Sequence, residues 1–413
     1  MPASPYYDRH EIRPPEERER VLFHALPGLL RHALDNAPFY REHLAGVEPE
    51  AVTDRAALAR LPILRKSEIV HIQEREPPFG GLVATPPERL ARVFQSPGPI
   101  YEPQGFRADY WRMARALYAA GFRRGDLVHN TFAYHLTPAG FMIEGGARAL
   151  GCPVFPAGTG QTELQLLAIS RLRPVAYAGT PSFLRILVEK GRETERPVSF
   201  RKALVAGEAF PPDLQQSLAE EHGIDAYQAY ATAECGLIAY ETPAREGMVV
   251  DEGLILEIVR PGTGDPVPEG EVGEVVVTVF NPDYPLVRFA TGDLSAILPG
   301  RSPCGRTNVR IRGWMGRADQ ATKVRGMFVR PEQVERIRRR FPELGRARLE
   351  VRQVAGRDEM VLRVECAAPD EDLAARIREA IRAETGLRGE VAFAGPGELP
   401  NDGRVIDDRR GQG

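Results

Sequence analysis

Lysine is nearly missing from this chain. Only four of its 54 basic residues are lysine, namely Lys66, Lys190, Lys202 and Lys323, and arginine supplies the rest. Cysteine is as scarce. Cys152, Cys235, Cys304 and Cys366 are widely spaced and form no CxxC pair, which argues against a zinc ribbon or a disulfide framework and fits a reducing compartment. Charge of one sign is also lacking. A net charge of -3 over 413 residues gives no electrostatic case for nucleic acid or an anionic membrane as partner. No apolar run is long enough to span a bilayer. The first stretch, "MPASPYYDRHEIRPPEERER", has no apolar signal core. These absences lead us to expect a cytoplasmic protein.

What is present is ordinary globular composition, 43% hydrophobic and 27% charged, in a chain long enough for two or three domains. Residues 15–34 read as a helix that Pro27 kinks or splits. From about 109 the chain alternates helices with short apolar strands. "ADYWRMARALYAAG" is a helix, "DLVHNTF" a strand, and "TPAGFMIEGGARALG" a helix with Thr137 as N-cap and Pro138 at its first position. "CPVFPAG", "PVAYAG" and "KALVAG" are strands, with helices between and after them, of which "TPSFLRILVEKG" is opened by Thr180 and Pro181. Such alternation predicts a mostly parallel sheet covered on both faces.

After about 250 the pattern turns β-rich, with "LILEIV" and "GEVVVTVF" as the arms of a hairpin. The end of the chain reads as a small α+β segment, with helices near 331–341 and 370–385 and strands near 347–353 and 360–366. The expected fold is therefore α/β: a large N-terminal domain, 1–318, with a β-rich subdomain, and a small α+β domain, 319–413. Ligands in open α/β sheets collect at the carboxyl ends of the strands. Here those ends are 130–135, 156–161, 179–182, 206–210 and 230–234, rich in Gly, Thr, aromatic and acidic residues.

Several stretches then resemble one family in shared order and spacing: "NAPFYREH", "LPILRKSEI", "GTPSFL", "AGEAF", "AYATAECG", "YPLVRFATGDL", "GRADQATKVRGMFVRPEQVE" and "LPNDGRVIDDRR". They are similar to adenylate-forming (AMP-binding) enzymes of the phenylacetate–CoA ligase group. That resemblance implies a mobile C-terminal lid and a two-step reaction. A carboxylic acid attacks ATP to give an acyl-adenylate, and a thiol such as CoA then displaces AMP.

By the resemblance, Tyr230 lies against adenine, Glu234 holds Mg²⁺, and Thr232 is the nearest hydroxyl to the position that Ala233 leaves bare. Asp293 binds the ribose. Arg317 approaches ribose or phosphate, Asp319 is the lid pivot, and Gly326 passes close to the pantetheine of CoA. Gly207 and Glu208 close over the acyl group and adenine. Phe132, Tyr134, Leu136, Ala157 and Gly158 suggest an apolar, partly aromatic pocket suited to an aryl or arylacetic acid. An acyl carrier protein in place of CoA, and a homodimer, stay open.

The chain departs from the family twice, both times on the adenylation side. The segment "VFQSPGPIYEP" stands where the family has a Ser/Thr/Gly-rich phosphate loop ending in Lys. Ser96 and Gly98 remain, but Pro97, Pro99 and Ile100 replace hydroxyl-bearing residues, and Glu102 replaces the lysine. Proline removes an amide donor, and a carboxylate in that loop repels a polyphosphate. Near the C-terminus the family's catalytic lysine is Arg404, whose planar guanidinium is no copy of a compact ammonium. Losing both contacts implies a cost to adenylation on the order of 10⁴. The Cys/His cluster of the group is reduced to Cys304, so no zinc is expected. Three functions compete on this basis: a ligase with an altered phosphate site, an acyl transferase that no longer adenylates, and a non-catalytic binding protein.

Overall fold

The computed structural model describes residues 4–318, 320–354 and 357–410. The chain divides into two compact units. One comprises Met1–Leu256, Val277–Phe289 and Leu298–Trp314, and the other Glu257–Val276, Ala290–Ile297 and Met315–Gly413. The second unit thus includes two segments that lie well before the single cut expected near 318.

In the first unit, Val154–Pro156, Val128–Asn130, Ala176–Gly179, Lys202–Val205 and Asp225–Thr232 lie side by side in that order, all parallel. Beyond them the sheet continues antiparallel through Gly236–Glu241, Met248–Val250 and Arg310–Ile311. The inner strands of the parallel part are buried on both faces, as crossover helices require. Along the strands, side chains alternate between two cores. Tyr177, Ala203 and Val205 pack with Leu166, Leu184 and Leu187. Ala176, Ala178 and Leu204 pack with Met113, Leu117, Met142 and Ile143. This is the period of two expected of strands.

Local chemistry sets the helix ends. Thr180 Oγ1 accepts the Phe183 amide and Pro181 opens the helix Pro181–Glu193, as the sequence predicts. Two expected starts move. The helix read from 108 begins only at Met113, because Asp109 Oδ2 accepts the Ala114 amide at 3.0 Å and Arg112 adopts φ 63°. The helix read from Pro138 runs Ala139–Ala149, with Pro138 itself at the cap position and no side-chain cap. Pro27 does not split its helix, which runs unbroken as Pro15–Asn36 with Phe23, Leu26, Leu29, Leu30 and Ala33 buried.

A buried charge network ties the N-terminal segment to the strands that lead into the site. Glu11 is 1% exposed and accepts from Arg115 at 3.2 Å and from the Tyr240 hydroxyl at 3.1 Å, and it pairs with Arg306 at 2.9 Å. Arg115 also faces Asp251, which holds Arg112 at 2.6 Å. Arg112 in turn donates to the Cys235 and Leu237 carbonyls.

A second sheet, in the order Leu64–Arg65, Leu286–Ser295, Gly273–Val279 and Leu254–Val259, contains the expected β-rich pair as neighbours. In the second unit, a sheet of Glu390–Ala394, Arg357–Cys366, Leu344–Val354 and Ile406–Asp408 packs with the helices Pro331–Arg339 and Glu371–Thr385. Its core holds Val334, Ile337, Leu349, Leu362, Ile377 and Ile381. The two outer strands of that sheet were not expected from the sequence.

Removing one member of the Glu11 network leaves two buried guanidinium groups without a shared counter-charge. Glu11→Ala is expected to lower stability by about 3–5 kcal/mol, measured by urea unfolding. A loss below about 1 kcal/mol would show that the network does not hold this segment.

Candidate active site

The strand Asp225–Thr232 delivers Tyr230 to its carboxyl end and then turns sharply into Gly236–Glu241. The turn is built tightly. Thr232 Oγ1 accepts the Cys235 amide at 3.1 Å, and Trp111 Nε1 donates to the Ala233 carbonyl at 3.2 Å. Gly236 has φ 71°, and a Cβ there would stand 2.8 Å from the Trp111 carbonyl oxygen, so only glycine fits. Glu234 therefore points inward. Its side chain has no exposed surface, and Lys66 Nζ lies 2.7 Å from Oε1. Beyond this ion pair neither Glu234 oxygen receives a hydrogen bond.

Lys66 is the first residue of the helix Lys66–Arg75. Burial alone would lower its pKa, yet the Glu234 carboxylate outweighs burial and holds the ammonium above its usual range. Sequence reasoning assigned no role to Lys66, although it lies inside one of the matching stretches. The rarity of lysine was the available signal.

The segment "VFQSPGPIYEP" is not an open loop between a strand and a helix. It is a β-hairpin of Arg92–Ser96 and Ile100–Gln104, in which Ser96 faces Ile100 and Phe94 faces Glu102. Only 97–99 form the turn, with Gly98 exposed at its tip. Phe94, Ser96, Ile100 and Glu102 are buried, while Val93 and Tyr101 are exposed. Strand alternation thus carries Glu102 into the interior, where it is 1% exposed. The Ser96 hydroxyl donates to Glu102 Oε1, and Glu102 Oε2 has no partner. Burial, and then the charge of Glu234, raise the Glu102 pKa from 4.5 to about 8. The carboxylate expected to repel a polyphosphate is a buried group that keeps its proton at neutral pH.

The hairpin is held on both edges. Gln73, on the Lys66 helix, exchanges two hydrogen bonds of 2.8 Å with the Tyr101 backbone. The Gln95 amide donates to the Leu136 carbonyl at 3.0 Å.

Three of the five residues expected around the acyl group meet at one cavity. Tyr134, Ala157 and Gly158, with His135, Pro156 and Thr159, line an open cavity of about 440 Å³. The Tyr134 hydroxyl accepts from Asn130 Nδ2 at 2.7 Å, and burial with the nearby Glu144 raises its pKa. Gln165 holds the cavity's glycine loop by donating to the Gly158 and Gly160 carbonyls, and its Oε1 meets His129 Nε2 at 2.7 Å. Phe132 and Leu136 are not among the lining residues. Phe132 lies toward Gly207, 3.9 Å from where a Cβ on that glycine would stand. Leu136 is 59% exposed. Gly207 and Glu208 are exposed at the end of Lys202–Val205.

In the second unit, Asp293 and Arg317 meet as an antiparallel bridge. Arg317 Nη1 donates to Asp293 Oδ1 at 2.9 Å. Gly292, at φ 75°, leaves room for the guanidinium, which would lie 2.7 Å from a Cβ. Gly326 and Arg325 form the two-residue turn between Thr322–Val324 and Met327–Val329. Its glycine answers to φ 86°, with open space where a Cβ would be. Arg404 is exposed, with carboxylate oxygens of Asp402 and Asp407 at 4.0 and 3.9 Å. Asp319 lies outside the described residues.

Magnesium at Glu234, implied by the resemblance, does not fit these surroundings. Mg²⁺ demands near-octahedral oxygen ligands and keeps several waters. Here the carboxylate is sealed from solvent and an ammonium already stands against it. Among the described residues, no group of three or more His, Cys, Asp or Glu could hold a metal ion. Nor, among them, is any helix long and apolar enough to cross a membrane.

Comparison with known proteins converges on one group. The family described as AMP-binding enzyme matches residues 131–279. The chain is 32% identical to a phenylacetate-coenzyme A ligase of Thermus thermophilus, over 98% of this chain and 100% of that protein. It is 28% identical to the protein of the same name from Escherichia coli, over 93% and 92% of the two chains. Among solved structures, 2-hydroxyisobutyryl-CoA ligase in the postadenylation state, in complex with R3-HIB-AMP, superposes with a TM-score of 0.74 at 26% identity, covering 99% of this chain and 93% of that one. The same ligase in an open conformation, in complex with 2-HIB-AMP and CoA, gives 0.74 at 26%, covering 99% and 95%.

The buried proton on Glu102 has a measurable cost. Folded, the group holds its proton up to about pH 8, whereas its ordinary pKa is 4.5. Between those values the folded state binds more protons, so stability falls as pH rises. Glu102→Gln cannot ionise and keeps the shape. Wild type is expected to lose on the order of a few kcal/mol more than this variant between pH 5 and pH 9, read from thermal melts. Parallel pH profiles would refute a buried, protonated Glu102.

Proposed function

The chain belongs to the phenylacetate–CoA ligase family of AMP-binding enzymes, and on that premise we propose that it joins a small aryl or arylacetic acid to the thiol of CoA through an acyl-adenylate. The observation that carries this reading is the likeness to the Thermus protein along the whole length of both chains. In the first step a carboxylate oxygen bonds to the α-phosphorus of ATP, the α–β anhydride bond breaks, and pyrophosphate leaves. In the second, the thiol sulfur bonds to the acyl carbon, the mixed anhydride breaks, and AMP leaves while the thiol proton passes to solvent.

Each residue has a part in this proposal. The cavity at Tyr134, Ala157 and Gly158 receives the acyl group, and its volume of about 440 Å³ suits one aromatic ring. Tyr230 offers adenine a flat, low-entropy surface. Asp293 accepts from the ribose hydroxyls, with Arg317 beside it for ribose or phosphate. Gly207 and Glu208 close over the acyl group. Thr232, already committed to the Cys235 amide, shapes the turn. Residues 319–413 act as the lid with Asp319 as pivot, and the open space at Gly326 is where pantetheine passes. Arg404 supplies the positive charge between acid and α-phosphate.

A second reading draws on the hairpin. Ser96 is committed to Glu102, and the turn 97–99 contains two prolines. Few donors are left for a triphosphate tail. Transfer of an already activated acyl group to CoA, or to a carrier-protein thiol, needs none of them.

Pyrophosphate release and thioester formation with a panel of aryl and arylacetic acids distinguish the two. Adenylation predicts both products, strictly dependent on ATP. Acyl exchange from a supplied thioester without ATP, and no pyrophosphate with any acid, would replace the first reading by the second. Arg404→Ala is expected to slow adenylation by about 10²–10³ and to leave thioester formation from supplied acyl-adenylate within a few-fold. Equal loss in both steps would remove Arg404 from the role assigned here.

A further inference from the structure

We propose that Lys66 is a built-in cation that occupies the metal position at Glu234, so that this carboxylate serves a fixed ammonium and binds no divalent ion in the nucleotide-free protein. Four elements meet at this corner. The turn after Asp225–Thr232 brings Glu234 and Cys235. The hairpin brings Ser96 and Glu102, the helix Lys66–Arg75 brings its first side chain, and Tyr284 brings a buried hydroxyl with no hydrogen-bond partner. Glu102 and Glu234 are 1% and 3% exposed. Oxygens of both lack hydrogen-bond donors. A buried carboxylate beside a buried, protonated carboxyl group calls for a positive charge, and the ammonium 2.7 Å from Glu234 Oε1 supplies it.

The position of Lys66 argues the same way. A lysine on the first turn of a helix sits at the positive end of the helix dipole, which is unfavourable for a cation. Its ammonium is drawn inward against that field by the carboxylate. The Lys66 side chain is 27% exposed and that of Glu234 has no exposed surface. A metal ion arriving from solvent therefore meets the ammonium first. A divalent ion that enters with a nucleotide is left to the phosphates for its ligands.

The test uses the full-length protein without nucleotide, so it does not depend on the reaction proposed above. Mn²⁺ titration followed by electron paramagnetic resonance is expected to give the same isotherm for wild type and Glu234→Gln. Lys66→Ala leaves the Glu234 carboxylate without its cation. It is expected to bind Mn²⁺ at least tenfold more tightly than wild type, a gain that the added Glu234→Gln change abolishes. With only four lysines, ¹⁵N-lysine labelling resolves the Lys66 ammonium, and saturating Mg²⁺ should leave its resonance unmoved. Mn²⁺ affinity in wild type that falls tenfold or more in Glu234→Gln, or displacement of the Lys66 resonance by Mg²⁺, would overturn the proposal. So would a folded Lys66→Ala that gains no Mn²⁺ binding. Should that variant not fold, the wild-type and Glu234→Gln isotherms and the resonance decide alone.

Discussion

A carboxyl group cut off from water must either find a positive charge or keep its proton. At the carboxyl end of the central sheet this chain does both, each group within reach of the other's charge. Glu234 is neutralised by Lys66, and Glu102 holds a proton beside Ser96. The arrangement depends on three separate pieces of backbone being brought to one point. The Gly236 turn fixes Glu234, the hairpin fixes Glu102, and the Gln73 clamp keeps the Lys66 helix against that hairpin. The charges of Glu234 and Lys66 both act on the Glu102 proton, so the three groups are electrostatically linked.

The fold was legible where the information is local. The alternation of apolar strands and amphipathic helices fixed the parallel core, and Thr180 with Pro181 announced a helix start that the structure contains. The family was legible in motifs that lie far apart but keep their order. The hairpin was not legible, because Pro97, Pro99 and Pro103 break up a stretch in which alternation of Phe94, Ser96, Ile100 and Glu102 would otherwise mark strands. With the strands unseen, Glu102 looked like a loop charge. Lys66 escaped for a different reason. Its partner lies more than half the first unit away in sequence, and nothing in a helix start tells which distant carboxylate it will reach.

The two units divide the proposed chemistry between them. The first holds the cavity around Tyr134 and Gly158 and the turn that presents Tyr230. The second holds the Asp293–Arg317 pair and Arg404. Within the second, the residues proposed for the nucleotide already satisfy each other: the carboxylate proposed for ribose hydroxyls is bonded to a guanidinium. Such a pair keeps the carboxylate aimed without a ligand, and on the reading proposed a ribose has only to share it.

Gln165 shapes the cavity without lining it. It sits on the helix Thr162–Leu172, is 3% exposed, and holds the carbonyls of Gly158, which lines the cavity proposed for the acyl group, and of nearby Gly160, while its Oε1 meets His129. The width of that cavity is therefore governed from the far side of the chain's own packing. Selectivity between bulky and slender acids can drift by repacking the interior around one amide, with every group that greets the acid left as it is.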